Sequence, residues 1–179
     1  KVDIPIVADA KLAIEALLEY IEPHDLGDWP TQLQQLKEER PVTQAGEEGL
    51  TPQNIIDYIN NHYDRPVVTT DVGQNQLWTT QFLEIEGNHQ LLTSGGLGTM
   101  GYGFPAAIGA QFGNPTKRVF AICGDGGVQM NIQEFATAMH YHLPVTLVVI
   151  NNGYLGNVRQ WQQLFYDKRY ACTNLLMDE

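Results

Sequence analysis

From residue 50 onward, short β-branched runs alternate with stretches of helical periodicity, and this alternation restricts the fold more than any other feature of the chain. Residues 65–70, 90–93, 119–123 and 145–150 read as strands. Helical stretches fall between and after them, at 74–82, from about Phe104, at 131–141 and at 156–165. An earlier helix starts at Thr51-Pro52, with Pro at the first helical position and Ile55, Ile56 and Ile59 on one face. Asn131 followed by Glu134 reads as a variant capping box opening the 131–141 helix. Such a pattern means βαβ units, hence an α/β fold with a parallel sheet and helices on both faces. The apolar run 145–150 predicts a fully buried strand.

The first 49 residues have a different texture. Residues 1–22 read as a short strand and then a helix over 10–20, with Ile14, Leu17, Leu18 and Ile21 at helical spacing. Residues 23–49 place Pro23, Gly27, Pro30, Pro41 and Gly46 around one polar helix at 33–39, the composition of a connector. The expected division is 1–22, 23–49 and 50–179. The chain starts on Lys1 and stops at Glu179 without an evident helix cap, so both ends are expected to be cut points in a longer protein, with the last domain truncated.

Charge narrows the range of ligands. A net charge of −11 with only ten Lys and Arg is the wrong balance for a nucleic-acid binder. No apolar run approaches the roughly 18 residues of a membrane span. Any polyphosphate held here must be neutralised mainly by a metal ion and by backbone N–H groups. Cys123 lies in an apolar strand and reads as a small core residue, and Cys172 as a second free thiol. His140 and His142 flank a helix end and suit its dipole. His24, His62 and His89 show no ligand spacing.

Two strand ends carry the candidate chemistry. Strand 119–123 runs into Gly124-Asp125-Gly126-Gly127, and strand 145–150 into Asn151-Asn152-Gly153. In an open parallel sheet, ligands bind at the carboxyl ends of the strands. A carboxylate, an amide oxygen and a backbone carbonyl form a hard-oxygen set suited to Mg²⁺, which usually shares its shell with phosphate. Free N–H groups of the glycine turn suit the rest of the phosphate charge. Gly96 to Gly101 also fits G-x-G-x-x-G, with Asp125 about 20 residues beyond, the spacing of a nicotinamide-dinucleotide site. Asp-Gly and Asn-Gly are in addition common turn pairs.

Gly-Asp-Gly followed after 24 residues by Asn-Asn resembles the thiamine-diphosphate fingerprint. Residues 93–103 (TSGGLGTMGYG), 71–78 (DVGQNQLW) and 158–162 (VRQWQ) narrow the resemblance to acetolactate synthase large subunits, nearly continuously over 50–176. Residues 1–49 resemble the end of that family's central domain and its linker. The resemblance implies thiamine diphosphate and Mg²⁺ as cofactors. It makes Asp125, Asn152 and the backbone carbonyl of Tyr154 the metal ligands. Gly126, Gly127 and Gln76 would meet the diphosphate, the Gly98 carbonyl the pyrimidine amino group, and Met100 would hold the cofactor bent. Trp161 would line the substrate channel and favour 2-oxobutyrate over a second pyruvate.

The implied reaction decarboxylates pyruvate and joins the two-carbon unit to a second 2-oxo acid. Its products are 2-acetolactate or 2-aceto-2-hydroxybutyrate, on the route to branched-chain amino acids. Asn75 stands where the family usually has His, and Asn157 where it usually has an apolar residue. The resemblance places the activating Glu on the N-terminal domain of a neighbouring subunit, and FAD mainly on the central domain, so no catalytic residue is expected within this chain. It further implies a homodimer or tetramer and a regulatory small subunit. The location would be the cytoplasm in a bacterium, and a plastid or mitochondrion in a eukaryote. A pyruvate decarboxylase or oxidase is the alternative within the same cofactor class.

Overall fold

The computed structural model describes residues 2–42, 49–85 and 90–176; Gly46, His89 and 177–179 lie outside them. Two compact units divide the chain, residues 1–42 and 43–179. The first holds α1 (Ala10–Leu18) and α2 (Trp29–Glu39). Asp9 caps α1, its carboxylate accepting from the N–H groups of Lys11 and Leu12 at 3.0 and 3.2 Å. α2 begins earlier than the expected 33, because Pro30 is tolerated in the first turn. Neither helix contains a buried residue. The strand expected before α1 is absent from residues 2–9, where a lone segment has no neighbour in its unit to complete a ladder.

The second unit is built on a four-stranded, all-parallel sheet of order β2-β1-β3-β4. Its strands are β1 (Val67–Thr70), β2 (Leu91–Leu92), β3 (Val119–Gly124) and β4 (Thr146–Ile150). Before β1 comes α3 (Pro52–His62), opened as expected at Thr51: its hydroxyl accepts from Asn54 N, and the Asn54 side chain accepts from Thr51 N. α4 (Gln74–Phe82) follows β1 and α5 (Gly103–Gly113) follows β2. Beyond β3 lie α6 (Asp125–Met130) and α7 (Phe135–His140), and beyond β4 lies α8 (Gly156–Phe165).

Strand alternation divides the core in two. Val67, Val119, Ala121 and Cys123 point to one face and pack with Phe104, Ala107 and Ile108 of α5 and Ala138 of α7. Val68, Phe120 and Ile122 point to the other, against Ile59 of α3. Helices therefore cover both faces, as the alternation of elements predicts. Cys123 is fully buried, and burial, with the negative charge of Asp71 beside it, pushes its thiol up to about 12. It stays neutral and behaves as a core residue. Both cysteines are free.

Two further expectations need correction. β4 is not fully buried: it pairs only with β3, lies at the sheet edge of this chain, and leaves Val149 43% exposed. Its sequence suits a central strand, but the described residues supply a neighbour on one side only. Nor does Asn131 open a long helix. It ends α6, and a 3₁₀ turn over Ile132–Glu134 precedes α7. Its side-chain amide is committed elsewhere, donating to the carbonyl of Gly101 at 2.7 Å.

Candidate functional site

The last register pair between β3 and β4 is Gly124 with Ile150, so both strands end side by side. Asp125 follows the first and Asn151-Asn152 the second. One hydrogen bond closes the gap: Gly153 N–H donates to Asp125 Oδ2 at 3.1 Å, which leaves the other carboxylate oxygen outside that bond. Asn152 Oδ1 accepts from Tyr154 N–H at 2.9 Å, an Asx turn, and its carbonyl type carries a second lone pair. The Asn152 amide donates to Gln74 Oε1 at 3.0 Å, tying β4's tip to the start of α4.

A strap holds this corner. Leu155 N–H donates to Thr173 O and Leu175 N–H to Gly153 O, both at 2.9 Å. Arg159, on the first turn of α8, lies between the rings of Tyr154 and Tyr170, 4.1 and 3.9 Å from their centroids. The loop that carries the Tyr154 carbonyl is thus fixed from its side chain as well as its backbone.

A cavity opens where these tips meet. Met100, Asp125, Gly126, Gly127, Asn152 and Tyr154 all line it, joined by Gln74, Asn75 and Asn157. Glycine leaves one wall uncrowded: a Cβ on Gly126 would stand 3.2 Å from Leu155 and 3.6 Å from Met100, and one on Gly124 3.2 Å from Asn75 Nδ2. α6 begins at Asp125, and the first N–H groups of a helix lack partners within it. What the sequence suggests as a glycine turn is therefore the opening turn of a helix.

The electrostatics of the wall are one-sided. Its only ionised residue is Asp125, and no Lys or Arg lines it. A cation attracted by the carboxylate would offset the charge of an anion entering the site. Among the described residues no group of three His, Cys, Asp or Glu stands ready for a metal. A cation here would rest on one carboxylate, neutral oxygens and oxygens of its ligand, a shell of the Mg²⁺ kind. Two buried amide oxygens, Asn75 Oδ1 and Asn157 Oδ1, have no hydrogen-bond partner although both residues line the cavity. Amide O and N are nearly alike in shape, so either group turned over presents N–H to an anion. Glycine cradle, unpartnered amides and hard-oxygen donors fit a metal-bound diphosphate.

The remaining candidates lie elsewhere. Gln76 does not line the cavity, its amide donating to Thr93 Oγ1 at 2.7 Å, whereas Gln74, two residues earlier, does line it. Gly98 has φ +71° and belongs to an exposed loop, 95–99, outside the cavity wall. Trp161 is 63% exposed and meets Phe165 edge to face at 6.0 Å. It lines a neighbouring groove that shares Asn157 and Val158 with the cavity.

Residues 71–178 match the family described as thiamine pyrophosphate enzyme, C-terminal TPP binding domain. Among curated proteins, the chain is 42% identical to acetolactate synthase of Arthrospira platensis, over 97% of this chain and 31% of that protein. It is 42% identical to the acetolactate synthase large subunit of Lactococcus lactis subsp. lactis, over 94% and 30%. With the large subunit of Corynebacterium glutamicum the identity is 43%, over 98% and 29%. The chain therefore spans about 30% of the length of these relatives.

Proposed function

The chain belongs to the thiamine pyrophosphate enzymes, whose C-terminal cofactor-binding domain it carries, and on that premise we propose that it is the part of an acetolactate synthase large subunit that holds thiamine diphosphate through Mg²⁺ at the tips of β3 and β4. The observation that carries the reading is the Asp125–Gly153 bond, which joins two strand tips over a cavity whose only charge is that carboxylate. The identity to acetolactate synthases over nearly the whole chain supports it.

In this reading Asp125, Asn152 and the Tyr154 carbonyl hold the metal. The opening N–H groups of α6, at Gly126 and Gly127, meet the diphosphate. Gln74 and Asn75 stand beside it in place of Gln76. Met100, half-buried in the cavity wall beside Gly126, supports the bend of the cofactor, with the Gly98 carbonyl accepting from its amino group. When bound, thiamine diphosphate supplies a thiazolium that takes up the electron pair left when a 2-oxo acid loses CO₂. The chain's own residues bind, orient and neutralise; the activating Glu and FAD belong to segments outside 1–179. The substrates would be pyruvate with a second pyruvate or 2-oxobutyrate, the assembly a homodimer or tetramer with a regulatory small subunit, and the pathway that of branched-chain amino acids. No helix among the described residues is long and apolar enough to cross a membrane.

Trp161 sits at the groove next to the cavity and would sort the second 2-oxo acid by its extra methylene, a difference of about 1–3 kcal/mol in an apolar pocket. Product analysis of the full-length protein on pyruvate plus 2-oxobutyrate tests both levels. The parent is expected to form 2-acetolactate and 2-aceto-2-hydroxybutyrate, and Trp161→Leu to shift the ratio about 10-fold toward 2-acetolactate. Acetaldehyde or acetyl phosphate from the parent would reject the synthase reading. An unaltered ratio in the variant would make Trp161 a packing residue only.

A further inference from the structure

Asp71 is a carboxylate buried to 1% exposure immediately after β1. The ion pairs among the described residues are surface pairs that do not include it. Burying such a group is costly unless its hydrogen bonds are made, and among the described residues three backbone N–H groups make them. Oδ1 accepts from Val72 N–H at 2.8 Å and from Gly101 N–H at 3.0 Å, and Oδ2 accepts from Gly103 N–H at 3.0 Å. A Cβ on Gly127 would fall on the same carboxyl oxygens, so α6 packs its backbone directly against them.

Three segments thus converge on one carboxylate: the turn from β1 into α4, the loop before α5, and the opening of α6. Each gives residues to the cavity: Gly73 and Gln74, then Met100, then Gly126 and Gly127. Gly101 is held from both sides, its N–H by Asp71 and its carbonyl by Asn131 Nδ2 at 2.7 Å, with φ +86°. Met100, its neighbour, is placed by that clasp. An apolar side chain of similar volume would fill the space at lower desolvation cost, but it could not accept three N–H groups from two separate loops.

The geometry points to Asp71 as a positioning residue, which sets how the Met100 loop and the opening turn of α6 stand against each other in the wall of the cofactor site. It touches neither metal nor cofactor and acts through Gly101, Gly103 and Gly127. This inference rests on the thiamine-diphosphate reading of the cavity.

The test uses full-length protein and the variant Asp71→Asn, which keeps shape but turns an amide N–H₂ toward a backbone donor. Calorimetric titration with thiamine diphosphate at fixed Mg²⁺ is expected to show affinity about 10- to 100-fold weaker, the usual effect of removing a supporting group. The near-ultraviolet circular dichroism of the bound cofactor should change with it, even at saturation. A lower melting temperature with affinity and dichroism unchanged would make Asp71 purely structural and overturn the inference. Parent protein that takes up no cofactor would overturn the function reading and this one together; normal uptake by both proteins overturns this one alone. Amide exchange in the cofactor-free parent gives an answer even where the variant does not fold. Gly101 and Gly103 N–H should be protected like those of β3, and exchange as fast as at exposed Leu97 would contradict the anchor.

Discussion

Asp125→Ala in the full-length protein is expected to weaken Mg²⁺-dependent thiamine diphosphate binding by about 100-fold or more, since even a supporting group of a metal site is worth 10- to 100-fold. Asp125 is the only ionised residue on the cavity wall, and no cationic side chain can take its place in recruiting a phosphate. The same substitution removes one hydrogen bond to the fold, from Gly153 N–H. A charge-assisted bond of this kind contributes about 1.5–3 kcal/mol when buried and less at a part-buried site. Binding should thus collapse while the sheet stays folded. Isothermal titration beside a thermal melt separates the two effects. Undiminished binding with a normal melt would remove the metal assignment, and Mg²⁺-independent binding by the parent would do the same.

The second large effect concerns packing below the site. Gly103 opens α5 and is pressed against β1: its N–H donates to Asp71 and its carbonyl accepts from Thr69 Oγ1 at 2.7 Å. A Cβ there would stand 2.6 Å from Asp71 N, 2.8 Å from Cys123 Sγ and 2.9 Å from the Thr70 carbonyl carbon. Two of those neighbours are backbone at the end of β1, which cannot rotate away. Gly103→Ala should therefore destabilise by about 3 kcal/mol, the upper end of overpacking costs. Gly109, one and two-thirds turns further along α5, offers the internal comparison. It is exposed and nothing lies within 4 Å of its Cβ position. Gly109→Ala should be neutral or stabilise by about 0.5–1 kcal/mol, the helix preference of Ala over Gly. Urea midpoints of the two variants check the contrast. Equal midpoints would mean that the close approach of α5 to β1 is not as described.

The sequence goes far toward the fold because its signals are local. Alternating strands and helices and the Thr51-Pro52 start depend on neighbours a few residues away. β4 shows the limit. Its apolar run says how many faces want burial, not how many neighbours the chain provides. Asn131 shows another, since its cap-like spacing to Glu134 cannot show that Gly101, 30 residues earlier, takes its amide.

At the site, the paired strand ends are readable because each motif follows a strand-like run. Choosing among three consecutive amides is not. Gln74, Asn75 and Gln76 are alike in composition, and only the direction in which α4 leaves Gly73 turns the first two to the cavity and the third to Thr93. In the sequence Asp71 is only one letter of the 71–78 segment. Its role arises from donors at 101 and 103, distant in sequence, and no spacing rule announces it.

The most direct test replaces Mg²⁺ with Mn²⁺ and crystallises the full-length protein with thiamine diphosphate. The anomalous map should then show one peak about 2.0–2.3 Å from an Asp125 carboxylate oxygen, Asn152 Oδ1 and the Tyr154 carbonyl, with diphosphate oxygens completing the shell. Cofactor bound with no manganese between residues 125 and 152, or a peak held by other residues, would contradict the account.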